Sequence, residues 1–510
     1  MKSLFLLTAI ISLSATVFSQ INPSSKPNII IIYADDLGYG DVSCYGAKGV
    51  KTPSIDNLAR NGLKFTDAHC TAATCTPSRF SILTGSYAFR NNAAILPGDA
   101  PLLIRPETPT LPGMLQKAGY TTAVVGKWHL GLGNGVINWN GDIRPGPLEL
   151  GFNYSFLVPA TLDRVPTVYV ENHNVVNLDP KDPIKVNYDH KIGNEPIGLE
   201  HPELLKVKAD SQHSNTIING ISRIGYTTGG RSAWWKDEDI PNVLINKTKT
   251  FINDNKNKPF FLYLSYTDIH VPRDPNPAFK GKSTMGRRGD DIAQMDWTTG
   301  EVMKILGDLG LTKNTLVIFS SDNGPVLNDG YDDQSEELVG EHKPAGPFKG
   351  GKYSAFEGGT RVPTIIYWPN KVKAGISNAM ISQVDFFASL ASLTGQKLDS
   401  NAAPDSYDML PAILGKSSHG RQEMLEEAFT LALRSENWKY IAPQTKGTPP
   451  WLKDKKVATG LNVSPQLFDL NTDTGEDNNV IVKHPDVAKK MKETLMVIEQ
   501  APTRPGYKKR

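Results

Sequence analysis

The chain predicts an α/β fold, a large mixed, mostly parallel sheet sandwiched by helices, with a smaller C-terminal antiparallel sheet plus helix. Three observations predict it. Short, continuously apolar, β-branched runs recur, each leading into a polar residue capable of chemistry. Helical patterns lie between those runs. Towards the C-terminus the pattern changes to short strands separated by turns.

Taken in order, residues 29–32 form the first run and lead into Asp35 and Asp36. Thr52 and Pro53 cap and start a helix that runs to Gly62, its stop. A second helix, 111–118, is closed by Gly119. The run 121–125 leads into Lys127 and His129, and 260–264 leads into Asp268 and His270. A longer helical pattern covers 290–309, and the run 316–319 leads into Asp322 and Asn323. Ligands in open α/β sheets sit beyond the carboxyl ends of the strands, so these four termini point to one site. Residues 138–241 read as long, irregular loops on the sheet rim. Strands at 428–433, 438–441 and 466–470 and an amphipathic helix at 487–499 complete the chain. The implied division is a signal peptide at 1–20, a catalytic region at 21–415 and a C-terminal α+β region at 416–510.

Composition narrows the function. Of 510 residues, 44 are Gly and 36 Pro, which predicts many turns around a compact framework. A net charge of +2 gives no global field for nucleic acid or an anionic membrane, so recognition of an anion must be local. The three cysteines, Cys44, Cys70 and Cys75, cannot all pair, and at least one is free or chemically altered. Met1 and Lys2 followed by an apolar run to Phe18 read as a secretory signal, too short to span a membrane. No cysteine follows it directly, which argues against a lipid anchor. The expected location is secreted or periplasmic.

Two constellations carry chemistry on their residue types alone. Asp35–Asp36 and Asp322–Asn323 are far apart in sequence, yet both terminate buried strands. Adjacent carboxylates repel unless a cation lies between them, and hard oxygen donors suit Ca²⁺ or Mg²⁺ over zinc. The competing reading is that each pair caps a turn. Cys75 heads a short helical pattern with Arg79 one turn on, an electropositive position that would activate a thiol; a buried, inert cysteine is the alternative.

Cys75-Thr76-Pro77-Ser78-Arg79, continuing to Leu83-Thr84-Gly85, resembles the signature of the type I, formylglycine-dependent sulfatases of the alkaline-phosphatase-like superfamily. Further motifs support the resemblance in order along the chain. They are Asp35-Asp36-Leu37-Gly38-Tyr39-Gly40-Asp41, Gly126-Lys127-Trp128-His129-Leu130-Gly131, Ser321-Asp322-Asn323-Gly324, and Lys352 followed by 356–363. The tail from Leu467 to Asn479 fits as well.

The resemblance implies that Asp35, Asp36, Asp322 and Asn323 hold one Ca²⁺, with residue 75 as a further ligand. It implies that Cys75 is converted to formylglycine by a formylglycine-generating enzyme. The hydrated aldehyde, a gem-diol, would attack sulfur and form a sulfated covalent intermediate, released when the second hydroxyl is deprotonated. Arg79 would hold the diol and the cation site, and Lys127 and His129 flank the diol, with His129 as the base. His270 and Lys352 would bind sulfate and assist departure of the alcohol, and Thr161 would place a hydroxyl near sulfate. His173, Arg231, Trp234, Trp235 and Arg434 are candidate contacts to a sugar or a second anion. The expected substrate is a sulfated carbohydrate, an algal polysaccharide or a glycosaminoglycan oligosaccharide. The alternatives are a phosphodiesterase or phosphonate monoester hydrolase on the same fold, and a carbohydrate-binding protein with a dead site.

Overall fold

A computed structural model describes residues 26–502, and the expected signal segment lies outside them. Ten strands form the main sheet in the order Gly375–Ser377, Leu63–Phe65, Thr364–Tyr367, Thr315–Ser321, Asn28–Ala34, Phe260–Ser265, Thr121–Lys127, Tyr154–Val158, Val170–Glu171, Asn174–Val175. The five from Thr315–Ser321 to Tyr154–Val158 are mutually parallel. Antiparallel pairing begins on either side of them.

The continuous apolar runs follow from burial on both faces. Ile29, Ile31 and Tyr33 enter one core together with Val124, Leu316 and Ile318. Ile30, Ile32 and Ala34 enter the other with Val125, Val317 and Phe319. Each such side chain contributes about 1.5–3 kcal/mol when fully buried. The helices Cys75–Thr84 and Leu111–Lys117 cover the first face through Phe80, Ile82, Leu111 and Leu115. Pro53–Asn61, Ile240–Asn255 and Gly286–Asp308 cover the second through Ile55, Leu58, Leu244, Ile292 and Val302.

Several expectations need correction. The Thr52 hydroxyl bonds to Ser43 and Asp56 rather than capping a helix N–H, and Gly62 is extended (φ −128°). Thr110 caps its helix by accepting from the Gly113 N–H, and Gly119 is left-handed (φ +86°) as a stop requires. The stretch 138–241 hides a sheet strand, Tyr154–Val158, as well as short hairpins. Near the C-terminus, strand Glu423–Glu427 precedes the expected ones, and residues 428–430 form a turn.

The second sheet is a four-stranded antiparallel meander, Glu423–Glu427, Leu431–Ser435, Trp438–Ile441 and Gln466–Asp469, covered by the helix Pro485–Gln500. It is joined to the main body in two ways. Ala72, three residues before Cys75, bridges to Glu427. Beside it the Glu357 carboxylate meets Arg434 (2.5 Å), Lys439 (3.0 Å) and Arg361 (3.1 Å) in a buried knot of charge. One connection in this sheet is unusual: residues 442–465 link two adjacent strands that a turn of about 2–5 residues would normally join.

Candidate active site

The in-register pairing of Ala34 with Ser321 sets Asp35 and Asp36 directly beside Asp322 and Asn323. The Asp36 N–H donates to Asp322 Oδ1 (3.2 Å), and Asn323 Nδ2 donates to Asp36 Oδ1 (2.8 Å). All four residues are fully buried. Asp36 and His129 hold left-handed backbone (φ +59° and +52°), a conformation that costs free energy and concentrates at functional sites. Gly126 (φ +107°) has a different reason: a Cβ there would lie 1.8 Å from the Ser265 carbonyl oxygen. Only glycine lets the strand end approach its neighbour and deliver Lys127.

Four cationic or basic side chains surround the acids. Lys127 Nζ lies 2.6 Å from Asp35 Oδ2, and Lys352 Nζ lies 2.9 Å from both Asp36 and Asp329. Arg79 donates through Nε (3.0 Å) and Nη2 (2.6 Å) to Asp322 and approaches Asp35 at 3.7 Å. His270 Nε2 is 3.8 Å from Asp36 Oδ2 while its Nδ1 contacts the Val271 carbonyl at 2.7 Å. Burial, with help from Asp322 and Asp36, pushes the Asp35 carboxyl well above its usual range even though Lys127 pulls it down. Asp35 Oδ1 and Asn323 Oδ1 are buried without any hydrogen-bond partner. Each orphaned acceptor costs on the order of 1–3 kcal/mol. Two unpaired hard oxygens among crowded carboxylates fit a divalent cation held by Asp35, Asp36, Asp322 and Asn323. Asp67, His69 and Glu357 also cluster closely, but Arg361, Arg434 and Lys439 already supply that group with positive charge.

Cys75 opens the helix Cys75–Thr84, every residue of which is buried. Its Sγ is 3.2 Å from His129 Nδ1. His129 Nε2 meets the Leu96 carbonyl at 2.9 Å. A carbonyl only accepts, so Nε2 carries the proton and Nδ1 offers its lone pair to residue 75. Burial, reinforced by Lys127 and Arg164, keeps the imidazole neutral, well below its ordinary pKa. Of the two readings of the thiol, burial favours the inert one, pushing Cys75 up despite Lys127 and Lys352. Arg79 directs its Nε and Nη2 donors to Asp322. All three cysteines are free.

Cys75, His270 and Lys352 open onto a cavity of about 440 Å³. Its lining also includes Asp163, Arg164, His213, Phe429, Trp451 and Lys455. Sequence reasoning missed these residues and Asp329, since isolated side chains in irregular segments leave no spacing signal. Asp329 anchors Lys352 and accepts from the Tyr353 hydroxyl (3.0 Å). The Thr161 hydroxyl accepts from Arg164. The five candidate sugar contacts do not line this cavity. His173 bonds Glu149, Arg231 pairs with Glu195, Trp234 donates to the Gly229 carbonyl, Trp235 is buried against Tyr169, and Arg434 serves Glu357.

Residues 27–396 match the Sulfatase family model. The N-acetylgalactosamine-6-O-sulfatase of Bacteroides thetaiotaomicron is 53% identical over 476 residues, 92% of this chain and 93% of its own. Human steryl-sulfatase is 30% identical over 446 residues, 82% of this chain and 75% of its own. A solved structure from work on the metabolism of multiple glycosaminoglycans by B. thetaiotaomicron superposes with a TM-score of 0.92 at 52% identity, covering 94% of this chain and 100% of that one. With its acidic set, Cys75–His129 pair and cavity at the carboxyl ends of a parallel sheet, the chain belongs to the sulfatase family and is a sulfuric ester hydrolase.

Proposed function

We propose that this sulfatase removes the 6-O-sulfate of N-acetylgalactosamine from glycosaminoglycan oligosaccharides, working in the periplasm or outside the cell. The observation that carries the sugar is the 53% identity, along 92% of the chain, to an enzyme of that name. The cavity supports it. Its volume of about 440 Å³ is on the scale of one or two sugar rings. An exocyclic C6 arm holds sulfate one carbon beyond the ring, which suits a reacting residue as deeply buried as Cys75 (2% exposed).

In this reading Cys75 acts after oxidation to formylglycine by a dedicated enzyme, and its sulfur marks where the reacting oxygen would project. A bound Ca²⁺ held by Asp35, Asp36, Asp322 and Asn323 would supply positive charge to the sulfate oxygens. The remaining work falls to the chain's own side chains. Lys352, fixed between Asp36 and Asp329, and Lys127, fixed on Asp35, present ammonium groups to sulfate. His129 Nδ1, 3.2 Å from residue 75, takes its proton and so drives sulfate release. Of His270 and Lys352, which both open onto the cavity, Lys352 carries the proton for the departing alcohol. His270, kept neutral by burial and by Lys352 and Lys127 with its Nδ1–H on the Val271 carbonyl, offers an Nε2 lone pair. Arg79 keeps Asp322 in place from below.

The test is release of inorganic sulfate from a panel of 4- and 6-sulfated N-acetylgalactosamine and N-acetylglucosamine, using protein co-produced with a formylglycine-generating enzyme. Turnover of the 6-sulfated galactosamine, abolished by Cys75→Ala, is the expected result. Preference for another sugar or position refutes the substrate, and release that survives Cys75→Ala refutes the nucleophile.

A further inference from the structure

The 442–465 connection is long where a tight turn would do, and it is tied down rather than free. Lys455 Nζ lies 3.4 Å from Asp329 and 3.5 Å from Asp210. The Ser354 hydroxyl donates to the Ala458 carbonyl (2.7 Å), and the Ala355 N–H donates to that of Thr459 (2.8 Å). These ties fold the segment over the cavity and bring Trp451 to its wall.

There Trp451 meets two other aromatic rings. Its centroid is 5.1 Å from that of Tyr353 and 6.1 Å from that of Phe429, with interplanar angles of 71° and 64°. Tyr353 is itself fixed through its hydroxyl to Asp329. Phe429 holds left-handed backbone (φ +55°), which is strained for a bulky residue. Elsewhere the lining is charged, with Asp163 bonded to Arg164 (2.8 Å) and facing His213 (3.4 Å). The cavity lining therefore includes a cluster of aromatic rings as well as charged and polar groups.

A pyranose ring likewise combines apolar and polar surface. Galacto-configured sugars gather the C–H bonds at C3, C4 and C5 on one face and leave their hydroxyls to the other face and the edges. Aromatic rings take such an apolar face at little cost in entropy, because few torsions are frozen. We propose that Trp451, braced by Phe429 and Tyr353, stacks on the C–H face of the sugar that carries the sulfate, so that the 442–465 connection reads the ring. The proposal rests on the carbohydrate reading above. It divides the labour: the sheet's carboxyl ends handle sulfate, and the C-terminal hairpin selects the alcohol.

The experiment separates the two parts of the site. KM is measured for the best sulfated monosaccharide of the panel, and the inhibition constant for inorganic sulfate, which touches only the anion site. For Trp451→Leu, KM should rise roughly tenfold, the scale of one lost aromatic stack, while the sulfate constant stays within about twofold. Trp451→Phe, still flat, should recover most of the loss. An unchanged KM in the leucine variant, equal KM values in the two variants, or a sulfate constant that rises in parallel with KM would each overturn the proposal. If leucine prevents folding, Phe429→Leu compared with Phe429→Tyr reads the same wall by the same criteria. A wild-type enzyme that ignores N-acetylgalactosamine-6-sulfate but turns over another sulfated sugar refutes only the substrate, and the comparison proceeds on that sugar. Activity confined to non-sugar esters overturns both.

Discussion

Replacing Glu357 by glutamine tests whether the buried charge knot holds the C-terminal sheet to the catalytic region. The carboxylate serves Arg434 at 2.5 Å, Lys439 at 3.0 Å and Arg361 at 3.1 Å, and its own N–H donates to Glu476. Burial opposes its charge, yet Arg434 and Lys439 hold its carboxyl well below the ordinary range. Breaking a buried pair from one side costs about 3–5 kcal/mol, because the partner charge stays behind. Lys439 keeps Glu426, and Arg434 keeps Asp67 at 3.6 Å, which places Glu357→Gln at the lower end, about 3 kcal/mol. That is about two decades in an equilibrium constant. A chain of this size is best followed kinetically, by unfolding rate in urea through tryptophan fluorescence and by thermal midpoint at fixed scan rate. The expected result is unfolding faster by up to about a hundredfold if the knot breaks before the transition state. Lys304→Met, which removes an exposed pair to Asp308, should change neither readout. Unfolding accelerated by less than about fivefold, together with an unchanged thermal midpoint, in Glu357→Gln would show that the knot contributes little, and the interlock would be discarded.

Three other outcomes follow from the site. His129→Ala should lower kcat by about 10²–10⁴ with little change in thermal midpoint; a loss below tenfold would remove it as the base. Chelation should reduce both activity and thermal midpoint, and added Ca²⁺ should restore them, because Asp35 Oδ1 and Asn323 Oδ1 have no protein partner to replace the cation; chelation that changes neither would refute the metal. For His213, burial disfavours the charge, but Asp163 and Asp210 outweigh it and raise the pKa. Its stabilising contribution is therefore complete below the unfolded value of about 6.5 and disappears as pH rises through the folded value. The gap in thermal midpoint between wild type and His213→Asn should narrow from pH 5.5 to pH 9, and a gap that widens would refute the assignment.

The sequence displayed the central strands because burial on both faces leaves continuous apolar runs, and it displayed their polar termini because chemistry collects at carboxyl ends. Asp35, Asp36, Asp322 and Asn323 were legible for that reason, and their convergence follows from the pairing of Ala34 with Ser321. Cys75 and His129 were legible through motif resemblance, whereas the neutral state of His129 depends on burial that no motif states. The cavity walls were not legible. Trp451, Phe429 and His213 lie in segments without periodicity, and their roles depend on tertiary ties such as Lys455 to Asp329. Trp234 and Trp235 looked equally suitable by residue type, yet packing took both away from the cavity.

The bridge between the Cys75 segment and the C-terminal sheet also sets a clock. Thr71 accepts the Glu427 N–H, and Ala73 donates to the Glu427 carbonyl, so the segment leading to Cys75 is paired with a residue made about 350 positions later. At about 5–20 residues per second, synthesis leaves roughly 20 to 70 seconds between the two. During that interval Cys75 exists while the C-terminal sheet that pairs with the residues just before it does not. On the formylglycine reading proposed above, the modifying enzyme has its easiest access to the sulfur then, and slowing or speeding elongation should change the fraction of chains oxidised at Cys75.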